Sequence, residues 1–202
     1  KTKIKNALIS VSDKENLTSL LKVLTKFNIK IISSGGTYNS IKKLGYNCTE
    51  LSKYTGFKEM LDGRVKTLHP KIHAGILHDR QNKKHQNEMS KQKFPAIDLI
   101  VVNFYPFQQI VMNTTNSKNI IENIDIGGPT MVRAAAKNFN NVTIITNKSD
   151  YTHLINEIEK NKGNTTLKFR ELMSSKAFGL TAYYDAMIAN WFNKKLKIEF
   201  PE

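Results

Sequence analysis

The stretch GRVKTLHPKIHAGIL, residues 63–77, concentrates groups that could do chemistry. Arg64, Lys66 and Lys71 fall within eight residues, His69 and His73 lie among them, and no acid follows until Asp79. Such a run can be a solvated charge run, a metal site, a nucleic-acid patch or one wall of a pocket for a small anion. If 64–67 is extended, Arg64 and Lys66 share a face and aim two cations at one place. His69, His73 and His78 are loosely spaced and have no carboxylate or thiol cluster beside them, which is a poor ligand set for a metal. They read as structural histidines.

Four other stretches carry polar groups at chain positions suited to a ligand. SSGGT, 33–37, puts Ser34, Gly35, Gly36 and Thr37 between a buried strand and a helix. Adjacent glycines let backbone amides approach an anion, and a helix N-terminus favours negative charge. ISVSDK, 9–14, is a second strand-to-helix turn, where Ser10, Ser12 and Lys14 could face the same crevice. DIGGP, 125–129, is another Gly-Gly turn before a helix, with Asp125 and Ile126 ahead of Gly127 and Gly128. Arg133 and Lys137 lie one turn apart on the helix that follows. NFYPF, 103–107, ends an apolar strand, with Asn103 and Tyr105 where it should open towards a site. Each group also has a plain structural role available. Ser12 can be an N-cap, Lys14 a solvated lysine, Asp125 a helix-dipole partner and Lys137 a cation at a helix C-terminus.

These groups need elements to hold them. NALISVS, 6–12, reads as a short buried strand, and Ser12 with Glu15 as a capping box. Leu17, Leu20, Leu21, Leu24 and Phe27 recur at helical spacing and predict an amphipathic helix over 13–27. IKIISS is the next strand, and GGTYNSIKKLG a turn into a short helix closed by Gly45. Residues 52–80 read mostly as ordered loop, and HQNEMSKQK as a surface helix. IDLIVVNFY, 97–105, is an apolar strand stopped by Pro106, and NTTNSKN, 113–119, an exposed loop. Pro129 stands at a favoured first helical position before the alanines of 134–136. NVTIIT is a buried strand, and Ser149 the N-cap of a helix over SDYTHLINEIEK. Residues 167–196 are a long helical region, broken near Gly179. Strands alternating with helices make the fold class α/β, a parallel sheet covered by helices.

Composition narrows the rest. A chain of 202 residues with 40% apolar residues can bury one sizeable core. No run of about 18 apolar residues is present, so no transmembrane helix is expected. Cys48, the single cysteine, excludes an internal disulfide and reads as a small apolar filler in a reducing, cytoplasmic setting. The net charge of +14 suggests an anionic partner. It comes almost wholly from lysines in a sequence rich in Asn and Ile, so part of it is compositional. Scattered lysines without interleaved aromatic platforms argue against a nucleic-acid partner.

The motifs SVSDK, SGGT, GRVKTLHPKIHAGIL, NFYPF and DIGGPTMVRAAAKN, in this order and spacing, resemble the IMP cyclohydrolase domain of the bifunctional purine-biosynthesis enzyme that joins it to an AICAR transformylase. The resemblance covers about residues 6–192. It implies a three-layer α/β/α fold with a mainly parallel sheet, like methylglyoxal synthase, plus C-terminal helices. Residues 1–196 would be the cyclohydrolase domain, and 197–202 the start of a linker to a transformylase domain outside this fragment. The implied reaction is dehydrative ring closure of 5-formamidoimidazole-4-carboxamide ribonucleotide (FAICAR) to IMP, in a cytoplasmic homodimer. Ser10, Ser12, Lys14, Ser34, Gly35, Gly36, Thr37, Arg64, Thr67, Asn103, Ile126, Gly127 and Gly128 would line the nucleotide pocket.

The chemistry sets the remaining roles. A carboxamide nitrogen is a poor nucleophile, so a proton must leave it while the formyl oxygen is polarised and later departs as water. Asp125 would accept or orient the carboxamide N–H. Lys66, Lys137 and Tyr105 would stabilise the formyl oxygen and supply the proton. Arg64 beside two lysines and a bound phosphate would balance the charge so that one lysine can act as an acid. No redox or group transfer occurs, so neither cofactor nor metal is required. A nucleotide-sensing regulatory domain of the same superfold is the alternative. It would need the phosphate loop but not these four groups together, and a methylglyoxal synthase would lack the GRVKTLHP block.

Overall fold

A computed structural model describes residues 1–104 and 106–198. In chain order the elements are β1 (Thr2–Lys3), β2 (Asn6–Ser10), α1 (Leu17–Lys26), β3 (Lys30–Ser33), α2 (Gly35–Lys43), β4 (Thr49–Glu50), α3 (Leu51–Thr55) and α4 (Pro70–Leu77). There follow α5 (Lys83–Gln92), β5 (Leu99–Val102), α6 (Phe107–Asn113), α7 (Ser117–Glu122), α8 (Gly127–Lys137), β6 (Thr143–Ile145), α9 (Tyr151–Lys160), β7 (Asn164–Thr165) and α10 (Leu167–Leu196). Short 3₁₀ turns stand at Leu61–Gly63 and Lys148–Asp150.

Strands β4-β3-β2-β5-β6 form one parallel sheet in that spatial order, and β1 pairs antiparallel with β7 beside it. The central strands are apolar because both faces are covered: all four residues of β5, LIVV, are buried, as are Ala7, Leu8 and Ile9 of β2. Helices α1 and α9 pack together in one layer. Helix α8 packs on β5 and β6 and against α4 and α10 in the other. The expected three-layer α/β/α arrangement with C-terminal helices is present. Register matters for the site. Ile9 lies opposite Ser33 on one side, and Ser10 opposite Val102 on the other, so the carboxyl ends of β2, β3 and β5 finish at one level.

Several local expectations need correction. The capping box does not form. Helix α1 starts at Leu17 behind a left-handed Asn16, and the Ser12 hydroxyl bonds elsewhere. Residues 52–80 are not mostly loop, since Pro70 opens α4 with the His69 side chain capping the Lys71 amide at 3.1 Å. Strand β5 ends at Val102, short of the expected 105, and Ser117 already opens α7 inside the stretch read as loop. Pro129 is the third residue of α8 rather than the first. Helix α9 starts at Tyr151 after a 3₁₀ turn capped by Asn147, so Ser149 is not its N-cap. Helix α10 runs 30 residues through Gly179 without a break. An isolated glycine costs a helix only about 1 kcal/mol, and the buried stripe of Ala177, Thr181 and Tyr184 holds the turn on both sides of it.

Candidate active site

The strand order reverses between β2 and β5: from β2 the chain moves outward to β3 and β4, then returns to place β5 on the other side. In open parallel sheets a ligand crevice opens outside the carboxyl ends of the strands at such a switch point. A cleft of about 730 Å³ lies there. It is walled by the turns after β2, β3 and β5, by residues 62–67 and by the start of α8. Across the switch point, Asn103 Oδ1 accepts both the Ser12 amide at 2.6 Å and the Ser12 hydroxyl at 2.8 Å. Two loops about ninety residues apart in sequence are thereby locked side by side.

The Gly-Gly turn at the start of α2 has the form expected of an anion site. Ser34 is extended and makes no side-chain cap, so the first amides of α2 keep their donors for the cleft, at the positive end of the helix. Lys14 Nζ donates to the Ser12 carbonyl at 2.9 Å and folds back over its own loop, 3.9 Å from where a Gly36 Cβ would sit. Thr37 lines the cleft, but its buried hydroxyl is engaged. It donates to the Val11 carbonyl at 2.9 Å and accepts the Val11 amide at 3.1 Å, tying α2 to the turn after β2.

The stretch 64–67 spans the two glycine turns. A methyl group on Gly35 would stand 3.1 Å from Lys66 Nζ, and one on Gly127 would overlap Thr67 Oγ1. Lys66 and Thr67, neighbours in a bend, therefore press on the β3–α2 turn and on the start of α8. This joins the SGGT and DIGGP motifs into a single wall. The stretch 64–67 is not extended throughout, since Arg64 has helical dihedrals and only Val65 makes a strand-like bridge, to Met60. Gly35 has φ of +53°, a conformation that favours glycine independently of the space.

Asp125 sits at the other end of that wall. Its Oδ1 accepts the Gly128 amide at 2.9 Å, and a Cβ on Gly128 would overlap Oδ2. Its own amide donates to the Tyr184 hydroxyl at 2.8 Å. Burial lifts its carboxyl above the ordinary aspartate value, and the Gly128 bond only partly opposes this. A half-buried acid of this kind is better suited to take a proton than a solvated one.

The cleft gathers Ser10, Ser12 and Lys14, the Ser34–Thr37 turn, Arg64, Lys66 and Thr67, Asn103, and Asp125 with Ile126, Gly127 and Gly128. Lys137 is a correction. It is exposed at the last turn of the 11-residue α8 whose first residue, Gly127, lines the cleft. At 1.5 Å per residue that separates them by about 15 Å, and Lys137 borders other hollows beside Asn138 and Phe139 instead. Tyr105 lies outside the described residues. Its neighbour Phe104 is buried against Tyr184, with ring centroids 4.9 Å apart, and takes no part in the cleft wall.

The expected charge balance among Arg64, two lysines and a bound phosphate leaves out two acids. Lys66 Nζ is paired with Glu59 at 2.9 Å, and Arg64 with Glu122, its Nε 3.0 Å from Oε1. Sequence reasoning missed Glu59, Glu122 and Tyr184. The two acids stand 7 and 58 residues from their partners, and no spacing rule connects them. Among the described residues no group of three or more His, Cys, Asp or Glu side chains is placed to hold a metal, and no helix is long and apolar enough to cross a membrane. Burial depresses both His73 and His78, in keeping with structural histidines.

The family profile described as MGS-like domain matches residues 16–130, and that described as AICARFT/IMPCHase bienzyme matches residues 135–202. The bifunctional purine biosynthesis protein PurH of Bradyrhizobium diazoefficiens is 46% identical over 200 residues, covering 99% of this chain and 38% of that protein. The protein of the same name from Thermoanaerobacter sp. is 48% identical over 199 residues, covering 98% and 39%. The chain thus spans well under half the length of these curated relatives. The crystal structure of ForH superposes with a TM-score of 0.84 at 29% identity, covering 94% of this chain and 97% of that one.

Proposed function

The chain belongs to the MGS-like domain family, and from that premise we propose that it is an IMP cyclohydrolase, closing FAICAR to IMP with loss of water. The observation that carries the reading is the wall formed by residues 64–67. It sets Lys66 against the Gly35 turn and Thr67 against the Gly127 turn, in a cleft that also holds Asp125. A nucleotide with its phosphate end on the α2 amides and Lys14 would extend its base end towards Asp125, and Lys66 would swing from its place at the Gly35 turn to meet the formyl oxygen.

In this reaction the carboxamide nitrogen attacks the formyl carbon. The new C–N bond leaves an alkoxide that takes up the proton lost from the carboxamide nitrogen, giving a carbinolamine. Its hydroxyl then departs with the N–H proton of the former formamide nitrogen as water, leaving the ring C=N bond. Asp125 accepts the proton leaving the carboxamide nitrogen, a role favoured by its raised carboxyl. Lys66 donates a hydrogen bond to the formyl oxygen as negative charge develops there. Substrate binding exchanges Glu59 for that oxygen as the partner of the Lys66 ammonium. Both reacting arms belong to one molecule, so most of the acceleration comes from holding them within attack distance. The step is redox-neutral and transfers no group between molecules, so it calls for no cofactor or metal. Tyr105 remains in the proposed set as a second donor to the formyl oxygen, and Lys137 is withdrawn from it.

The same reading gives the whole protein a second, formyl-transferring activity in a further domain, which the greater length of the relatives supports. It also assigns a cytoplasmic homodimer, as in the family that the motifs resemble. The test is to incubate the protein with FAICAR and follow IMP by absorbance. Turnover without added metal or folate is expected. Tight binding of IMP without turnover of FAICAR would instead indicate a nucleotide-sensing domain.

A further inference from the structure

The geometry points to Tyr184, on α10, as a positioning residue for Asp125, setting the acid's place and protonation from behind the cleft. The inference rests on the reading of Asp125 as the proton acceptor. Tyr184 is 2% exposed, and its hydroxyl accepts the Asp125 amide at 2.8 Å. The ring is seated by Phe104, with centroids 4.9 Å apart, and by Phe107 edge-on at 6.2 Å. The hydroxyl therefore has one location. Asp125 is then clamped from two sides: Tyr184 holds its amide, and Gly128 donates to its carboxylate. One oxygen is spent on that bond, and Oδ2 lies over Gly128, where a methyl group could not fit.

Tyr184 also shows how a residue 59 positions away can govern the acid. Helix α10 packs along α8 and β6, and Tyr184 is where it touches the loop preceding α8. Burial of Asp125 depends on that loop staying down. The other charged groups at the cleft do not offset it directly: Arg64 is engaged with Glu122, and Lys66 with Glu59. Lys14 folds over its own loop, and Asp62 lines the cleft beside Gly63 and Arg64. Asp185 follows Tyr184 on α10. Without the Tyr184 hydroxyl the Asp125 amide has to find water, the loop lifts, and the carboxylate becomes solvated.

The test compares Tyr184→Phe with wild type, using two readings. In the free protein, NMR titration of the Asp125 carboxyl carbon should show its midpoint falling towards the ordinary aspartate range. With FAICAR, kcat should fall on the order of tenfold or more while KM stays within about threefold. An unchanged titration overturns the inference, even if the variant also melts earlier, because the tyrosine would then be only a structural brace. So does an unchanged kcat. If Tyr184→Phe does not fold, Phe107→Leu loosens the seat of the ring, and the same shift or its absence decides. Failure of wild type to convert FAICAR would sink the proposed reaction, while the titration would still test the positioning.

Discussion

Lys66 stands against Gly35 across the mouth of the cleft, so closely that the smallest side chain at position 35 would reach 3.1 Å from its ammonium nitrogen. The residue that would polarise the substrate and the turn that would hold its phosphate are thus a single contact. Gly35→Ala acts on both. It forces an L-residue to φ of +53°, at a cost of roughly 1–2 kcal/mol, and it pushes Lys66 aside. The expected outcome is at least tenfold weaker IMP binding by calorimetry together with a lower Tm. Unchanged affinity would mean that the α2 turn is not the anion seat.

Gly127 and Thr67 make the matching contact on the other wall. Gly127→Ala should destabilise by steric overlap with Thr67 Oγ1, in the range of about 1–3 kcal/mol typical of overpacking. Adding Thr67→Ala removes the obstacle. In urea unfolding the double variant should therefore recover at least about 0.5 kcal/mol relative to the sum of the singles. Simple additivity would show that the two residues do not touch.

Asp125 should trade stability for activity. Its folded carboxyl lies above the ordinary value of 3.8 because burial disfavours the charge. Stability linked to its proton is therefore fully present below that value and is lost as pH rises through the folded pKa. Asp125→Asn keeps an acceptor for the Gly128 amide and carries no charge. At pH 7 it should melt about 1–3 °C above wild type, with the gain shrinking as pH falls towards about 4. Its kcat should drop by about a hundredfold or more. A variant that is less stable than wild type at neutral pH would contradict the assignment of burial as the cause.

The two lysines that look alike in the sequence should behave differently. Lys66→Ala should lower kcat/KM on the order of a hundredfold or more, as loss of a charge-stabilising donor does. Lys137→Ala should leave it within about twofold, because that side chain is exposed at the far end of α8. Equal losses in both would show that the end of α8 reaches the substrate after all.

The wall residues were legible in the chain because their signals are local. A double glycine just before a helix marks a backbone that must approach something closely, at 35–36 as at 127–128. Strand β5 announces itself as an unbroken apolar run, and β2 and β6 by apolar centres bounded by Asn6, Ser10 and Thr143, since a sheet covered on both faces has no polar side. Those two facts are enough to place three turns at the carboxyl ends of parallel strands. Local signals also misled where a longer-range partner was stronger. Ser12 has the form of a cap, yet Asn103 holds it from across the switch point.

What only the folded chain decided is which charges meet. Lys137 shares a motif with Asp125, but eleven residues of helix carry it away, because a helix converts nearness in sequence into distance along an axis. Glu59, Glu122 and Tyr184 belong to no motif and meet the cleft residues Lys66, Arg64 and Asp125 through packing alone. By itself, then, the sequence determined the central strands, most of the helices they alternate with, the glycine turns and the polar groups offered at each. Tertiary structure determined the pairing among them, since hydrogen bonds and ion pairs form wherever sheet order and helix length bring donors and acceptors together.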